Sequence, residues 1–145
     1  MRRRQSAAGL VMVELALAIP LLLLLLLAGA DLGRAIQSQI TLSKAVRDGV
    51  RYLAAEAIPD SSGVIALDDT LRQRVVGLVV YGDPAGGGEP LLTGLRGDQV
   101  SLSLVGSGDL QITLRYPYPP LFPGWLFGIE GQSTILTATA RMRAL

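Results

Sequence analysis

GLVMVELALAIPLLLLLLLAGADLGRAIQSQITLSKAVRDGVRYLA, residues 9–54, is the stretch that decides the fold. Its first part, residues 10–30, is apolar throughout except for Glu14 and is 21 residues long. At about 1.5 Å rise per residue a helix of that length spans roughly 30 Å, the thickness of a bilayer's hydrocarbon core. Arg2, Arg3 and Arg4 stand directly before it. Cations are retained on the cytoplasmic side, so they read as a topology signal that leaves residues after 30 outside the cytoplasm. Pro20 removes one hydrogen bond inside the helix and is expected to kink it, which membrane helices tolerate.

The helical pattern does not stop at Ala30. Leu32, Ala35, Ile36, Val46, Val50, Leu53, Ala54 and Ala57 project to one side, with Arg34, Lys44, Asp48, Arg51 and Glu56 opposite. The stripe reads as a core face for the downstream domain, or as a contact face for other subunits at a different height. Pro59 and the polar residues after it are expected to end the helix near residue 58.

Beyond that point the chain reads as ordinary globular sequence. Asp68-Asp69-Thr70-Leu71 signals a helix start, with Leu71, Val75, Leu78 and Val79 at helical spacing and Gly82 as a stop, although residues 75–80 also suit a strand. Gly86-Gly87-Gly88 lacks the Gly-Lys-Ser/Thr continuation of a phosphate loop, so it reads as a flexible surface loop without a ligand, while residues 86–97 as a whole suit either a disordered loop or one that carries specificity. Val100, Leu102 and Leu104 alternate with polar residues, as do Leu110, Ile112, Leu114 and Tyr116, and then Leu136, Ala138, Ala140 and Met142. Gly106-Ser107-Gly108 signals a hairpin turn between the first two runs. Residues 116–125, YPYPPLFPGW, gather most of the aromatics in a proline-stiffened segment, which suits either a rigid connection plugging the core or a partner-binding edge. The expected class is α+β: one long N-terminal helix, transmembrane then amphipathic, packed against a small antiparallel sheet with one further helix.

Composition restricts the chemistry. The chain has no cysteine and no histidine, which removes thiol nucleophiles, imidazole bases and His-Cys zinc sites. A formal net charge of +1 gives no reason to expect nucleic acid. No cofactor, metal or small-molecule substrate is expected. An enzyme would have to use Ser43 with Lys44, or Asp68 with Asp69, but adjacent helical residues do not face one another.

Glu14 demands an explanation, because an ionised carboxylate in an apolar helix costs about 2.5–3.5 kcal/mol on insertion scales. One reading places it at headgroup level, where the positive helix N-terminus favours it. Its neighbours supply another. Gly9 follows a short basic leader, and Glu14 is the fifth residue counted from Leu10. That spacing resembles a type IV prepilin signal, in which a membrane peptidase cuts after the glycine and leaves the helix attached. The order Gly9, Glu14, Pro20, a Leu-rich run, Asp31-Leu32-Gly33-Arg34 and Arg47-Asp48-Gly49-Val50-Arg51-Tyr52 resembles the TadE family of pseudopilins from the tight-adherence (Flp) pilus system. Leu15 departs from the pattern, which often has an aromatic there. A Tyr-Pro-rich element before the last strand and Met142-Arg143 near the end extend the resemblance.

The resemblance implies a minor pilin, processed between Gly9 and Leu10, with Glu14 as the processing and assembly carboxylate. It divides the chain into a leader (1–9), a transmembrane helix (10–30), its continuation (31–58) and a small extracytoplasmic α+β domain (59–145). It also implies residence in a bacterial inner membrane, and as partners a prepilin peptidase, other pilins and the pilus assembly platform. The competing expectation is a secretory signal cut after Ala28-Gly29-Ala30, which would release a soluble binding domain.

Overall fold

The computed structural model describes residues 3–57, 68–105, 109–121 and 134–143. Its elements are α1 (Arg3–Glu56), α2 (Asp69–Tyr81), a single 3-10 turn (Gly97–Gln99), and strands β1 (Val100–Val105), β2 (Asp109–Tyr118) and β3 (Thr134–Arg143). The class is α+β, with a long N-terminal helix, one further helix and a small three-stranded antiparallel sheet. The chain divides into two compact units, Met1–Ala35 and Ile36–Leu145.

Met1–Ala35 contributes only helix to the described structure. Leu10, Leu17, Leu21 and Leu25 are each at least two-thirds exposed, so the apolar side chains of this helix have no protein cover. Helical geometry continues on both sides of Pro20.

In Ile36–Leu145 the core lies between α1, α2 and one face of the sheet. Along α1 the buried positions are Ser38, Leu42, Ala45, Val46, Gly49, Val50 and Leu53, with Ala57 just past its end, a repeat of three and four that keeps one stripe inward. At the upper end of the expected stripe Leu32 and Ile36 are 63% and 54% exposed, so only its lower part is a core face within this chain. Periodicity alone could not tell where cover begins, and burial starts only at Ser38. Gly49 marks the closest approach: a Cβ built there would lie 2.5 Å from Val79 Cγ2 and 3.3 Å from Ile112 Cδ1.

α2 is a helix over the whole region that also suited a strand. Asp68 caps it, its carboxylate accepting from the Asp69 backbone N–H at 2.8 Å. Gly82 closes it in the left-handed region at φ 77°, donating to Leu78 O at 2.9 Å. The loop after α2 is tied down at several points. Leu91 N–H donates to Val80 O at 2.8 Å, Leu95 is buried, and Tyr116 Oη donates to Thr93 O at 2.8 Å. Gly77 lets this loop sit against α2, since a Cβ there would meet Asp83 O at 3.0 Å and Gly86 N at 3.1 Å.

The strands run β1-β2-β3 as an antiparallel meander, with Leu102 opposite Ile112 and Ile112 opposite Ala140. Leu110, Ile112, Leu114, Tyr116 and Tyr118 face the core. The other face is polar and cross-bonded, with Thr139 Oγ1 donating to Thr113 Oγ1 and Arg141 Nη2 to Gln111 Oε1 at 3.1 Å. β2 runs two residues past its expected end, so Tyr116, Pro117 and Tyr118 are strand rather than connection. Pairing with β1 stops at Leu114, which leaves Pro117 paired to Ile135 on one side only. Proline lacks a ladder donor and is accommodated where a strand is an edge. The turn expected at residues 106–108, the helix stop at 59–63 and the aromatic residues 122–125 lie outside the described residues.

Candidate functional site

The candidate site is the exposed first half of α1. Leu10 and Glu14 are both exposed and stand four positions apart, which puts them on the same face of the helix one turn from each other. Gly9 precedes Leu10 within the helix, and a Cβ added to it would meet nothing within 4 Å. Pro20 lies inside the same helix and is exposed. Arg3 and Arg4 begin α1, whereas Arg2 is outside the described residues. The arrangement therefore brings Gly9, Leu10, Glu14 and Pro20 onto one rod, with no other described segment of Met1–Ala35 to shield them. α1 is also the one described helix long and apolar enough to cross a membrane, with a most apolar window of mean hydropathy 2.8 and no buried residue.

The residues considered for catalysis are placed differently. Ser43 and Lys44 are neighbours on α1, half-buried and exposed respectively, and successive helical residues diverge. Asp68 is occupied as a helix cap, accepting from Thr70 Oγ1 and the Asp69 N–H. The Thr70 hydroxyl, with help from that N–H, holds the Asp68 carboxyl below its ordinary value. Both features are what an N-terminal cap needs, and they leave Asp68 committed to the fold.

A feature that sequence reasoning missed lies on α1 within Ile36–Leu145. Gln39, Ile40, Ser43, Lys44, Arg47, Asp48 and Arg51 line a shallow groove of about 380 Å³. Gln39 sits on the inward side of the helix, where its Nε2 donates to Thr137 O of β3 at 2.9 Å. The signal available in the sequence was a glutamine interrupting an otherwise apolar stripe.

Comparison with known proteins gives one result that bears on the N-terminal half. The family model described as TadE-like protein matches residues 9–51. Neither the curated proteins nor the solved structures yield a match. The matched span starts at Gly9, contains Glu14 and Pro20, and reaches Gly49, where α1 meets α2 and β2. Residues 9–51, most of the helix that holds the candidate site, are thus similar to the TadE-like family.

Proposed function

We propose that the chain is a minor pilin, a structural component that assembles a Tad-type pilus after cleavage by a prepilin peptidase. The carrying observation is that Leu10 and Glu14 share one face of an otherwise uncovered apolar helix, inside the TadE-like segment. Cleavage between Gly9 and Leu10 would place a new amine on Leu10, one turn from Glu14. In a bundle of like helices the carboxylate of one subunit pairs with the amine of the next. Each charge is costly in lipid, and pairing offsets part of that cost.

In this reading Arg2, Arg3 and Arg4 hold the leader in the cytoplasm, residues 10–30 span the inner membrane, residues 31–58 continue the helix and residues 59–145 complete the extracytoplasmic domain. Loss of three of the 13 Lys and Arg residues against 12 acidic ones would turn the net charge from +1 to −2. Other pilins and the assembly platform would be the partners, and the chain would carry no catalysis of its own.

N-terminal sequencing of the protein purified from its host's membranes tests the reading. A mature terminus of Leu10-Val11-Met12 is expected. A terminus of Asp31-Leu32-Gly33 would show release by signal peptidase after Ala30 and overturn the pilin reading.

A further inference from the structure

The groove on α1 has three cations and no use for them in pilin processing. Ile40, Lys44, Arg47 and Arg51 follow at intervals of four, three and four, so they fall along one exposed face. Among the described residues, the side chains of Lys44, Arg47 and Arg51 form no ion pair or hydrogen bond. Asp48 supplies the groove's one carboxylate, which leaves an excess of two positive charges. Ile40 adds an apolar wall, 64% exposed.

Gln39 closes the groove on the side of β3. While its Nε2 donates to Thr137 O, its Oε1 is buried without a hydrogen-bond partner. Exchanging the amide's two ends would set oxygen against oxygen, so the orientation is fixed by the strand. That oxygen has no solvent contact, so it lies beyond the reach of anything seated in the groove, and Gln39 forms a fixed wall there.

We propose that this groove binds an acidic segment of a partner protein. Carboxylates of the segment engage Lys44, Arg47 and Arg51, and an apolar side chain covers Ile40. Arginine's fork suits carboxylates in pairs, which favours two of the three positions being Arg. An acidic peptide carries both elements of this match, anion and apolar contact. Fully ionised inorganic phosphate carries only the first. The proposal stands whether or not the leader is cleaved at Gly9.

The test uses the full chain in non-ionic detergent and a labelled short peptide of alternating Glu and Leu, read by fluorescence anisotropy. Binding is expected to weaken as salt rises. The variant K44E/R47E/R51E should lose affinity by about tenfold or more, the scale of charge-assisted bonds. Reversing two exposed cations elsewhere, R72E/R74E on α2, should leave it unchanged. The proposal is overturned if both sets of reversals weaken binding equally, or if a Gln-for-Glu peptide binds as well. Displacement of the peptide by inorganic phosphate at comparable concentration would make this a small-anion site and overturn it too. Binding to anionic phosphatidylglycerol vesicles through the same three cations, with none to the peptide, would assign a lipid surface instead. Salt titration of the unaltered protein needs no variant, and its failure to weaken peptide binding would also count against the groove.

Discussion

Glu14 and Gly49 are both single residues of the TadE-like segment, and they are constrained by opposite physics. Glu14 is costly where it stands and is retained, on the proposed function, for what it pairs with. Replacing it by leucine removes the desolvation cost, so Glu14→Leu should insert normally. It should nevertheless fail in assembly, and electron microscopy of the host showing normal piliation would refute the pairing with the Leu10 amine. Gly49 is set by packing. The added methyl of Gly49→Ala would press on a Val79 side chain that is fully buried and stiff in its helix, so the variant should lose about 1–3 kcal/mol of stability by overpacking. A lowered thermal midpoint of the full chain in detergent checks this. Asp68 yields a pH dependence. Its folded-state carboxyl titrates below its ordinary value of 3.8, so the cap's contribution is complete above that value and is lost as pH falls through the lowered one. Thermal unfolding of the wild type against Asp68→Asn should therefore converge as pH falls below 3.8 and differ little in slope above it, because Asn keeps one oxygen for the Asp69 N–H, loses the acceptor used by Thr70 Oγ1 and does not titrate.

At the scale of elements, the loop between α2 and β1 is held by groups that its composition hides. Tyr116→Phe removes the bond to Thr93 O and should cost about 1 kcal/mol, with faster amide exchange at Leu91 and Leu95 than in the wild type. Unchanged exchange there would show that Leu95 burial and the Leu91 to Val80 bond suffice. Much of this level was legible beforehand. The period of two in residues 100–105, 110–116 and 136–142 marked all three strands, because one buried face dictates alternation. Asp68 and Gly82 marked the ends of α2 because helix termini need specific backbone partners. What could not be read was where one element's cover stops. Leu32 and Ile36 carry the same periodic signal as Val46 and Val50, and only the position of α2 and the sheet separates buried from exposed. Pro117 misled in the same way, since its tolerance in β2 depends on β1 ending at Leu114.

At the scale of the whole molecule, the apolar helix and the small α+β unit impose different solvents on one chain. The candidate site was visible in the sequence because Glu14 breaks an apolar run, a local signal. The groove's lining is also local, residues 39–51 of α1, but which side of that helix β3 covers depends on contacts such as Gln39 with Thr137 and was not visible. On the proposed function the protein stays in the membrane pellet after alkaline carbonate washing, and recovery of the Ile36–Leu145 unit in the soluble fraction would point to release instead.

Gln39 and Thr137 are also 98 residues apart, and that separation has a bearing on timing. At about 5–20 residues per second, roughly five to twenty seconds of synthesis pass between the emergence of the two partners. During that interval β3 does not exist, and the lower half of the helix has made its apolar stripe before the sheet that covers it is complete. Such late-closing contacts slow folding. Maturation of the domain is thus tied to completion of the chain, and a nascent subunit stalled before β3 would present a sticky, half-built surface to whatever machinery handles it.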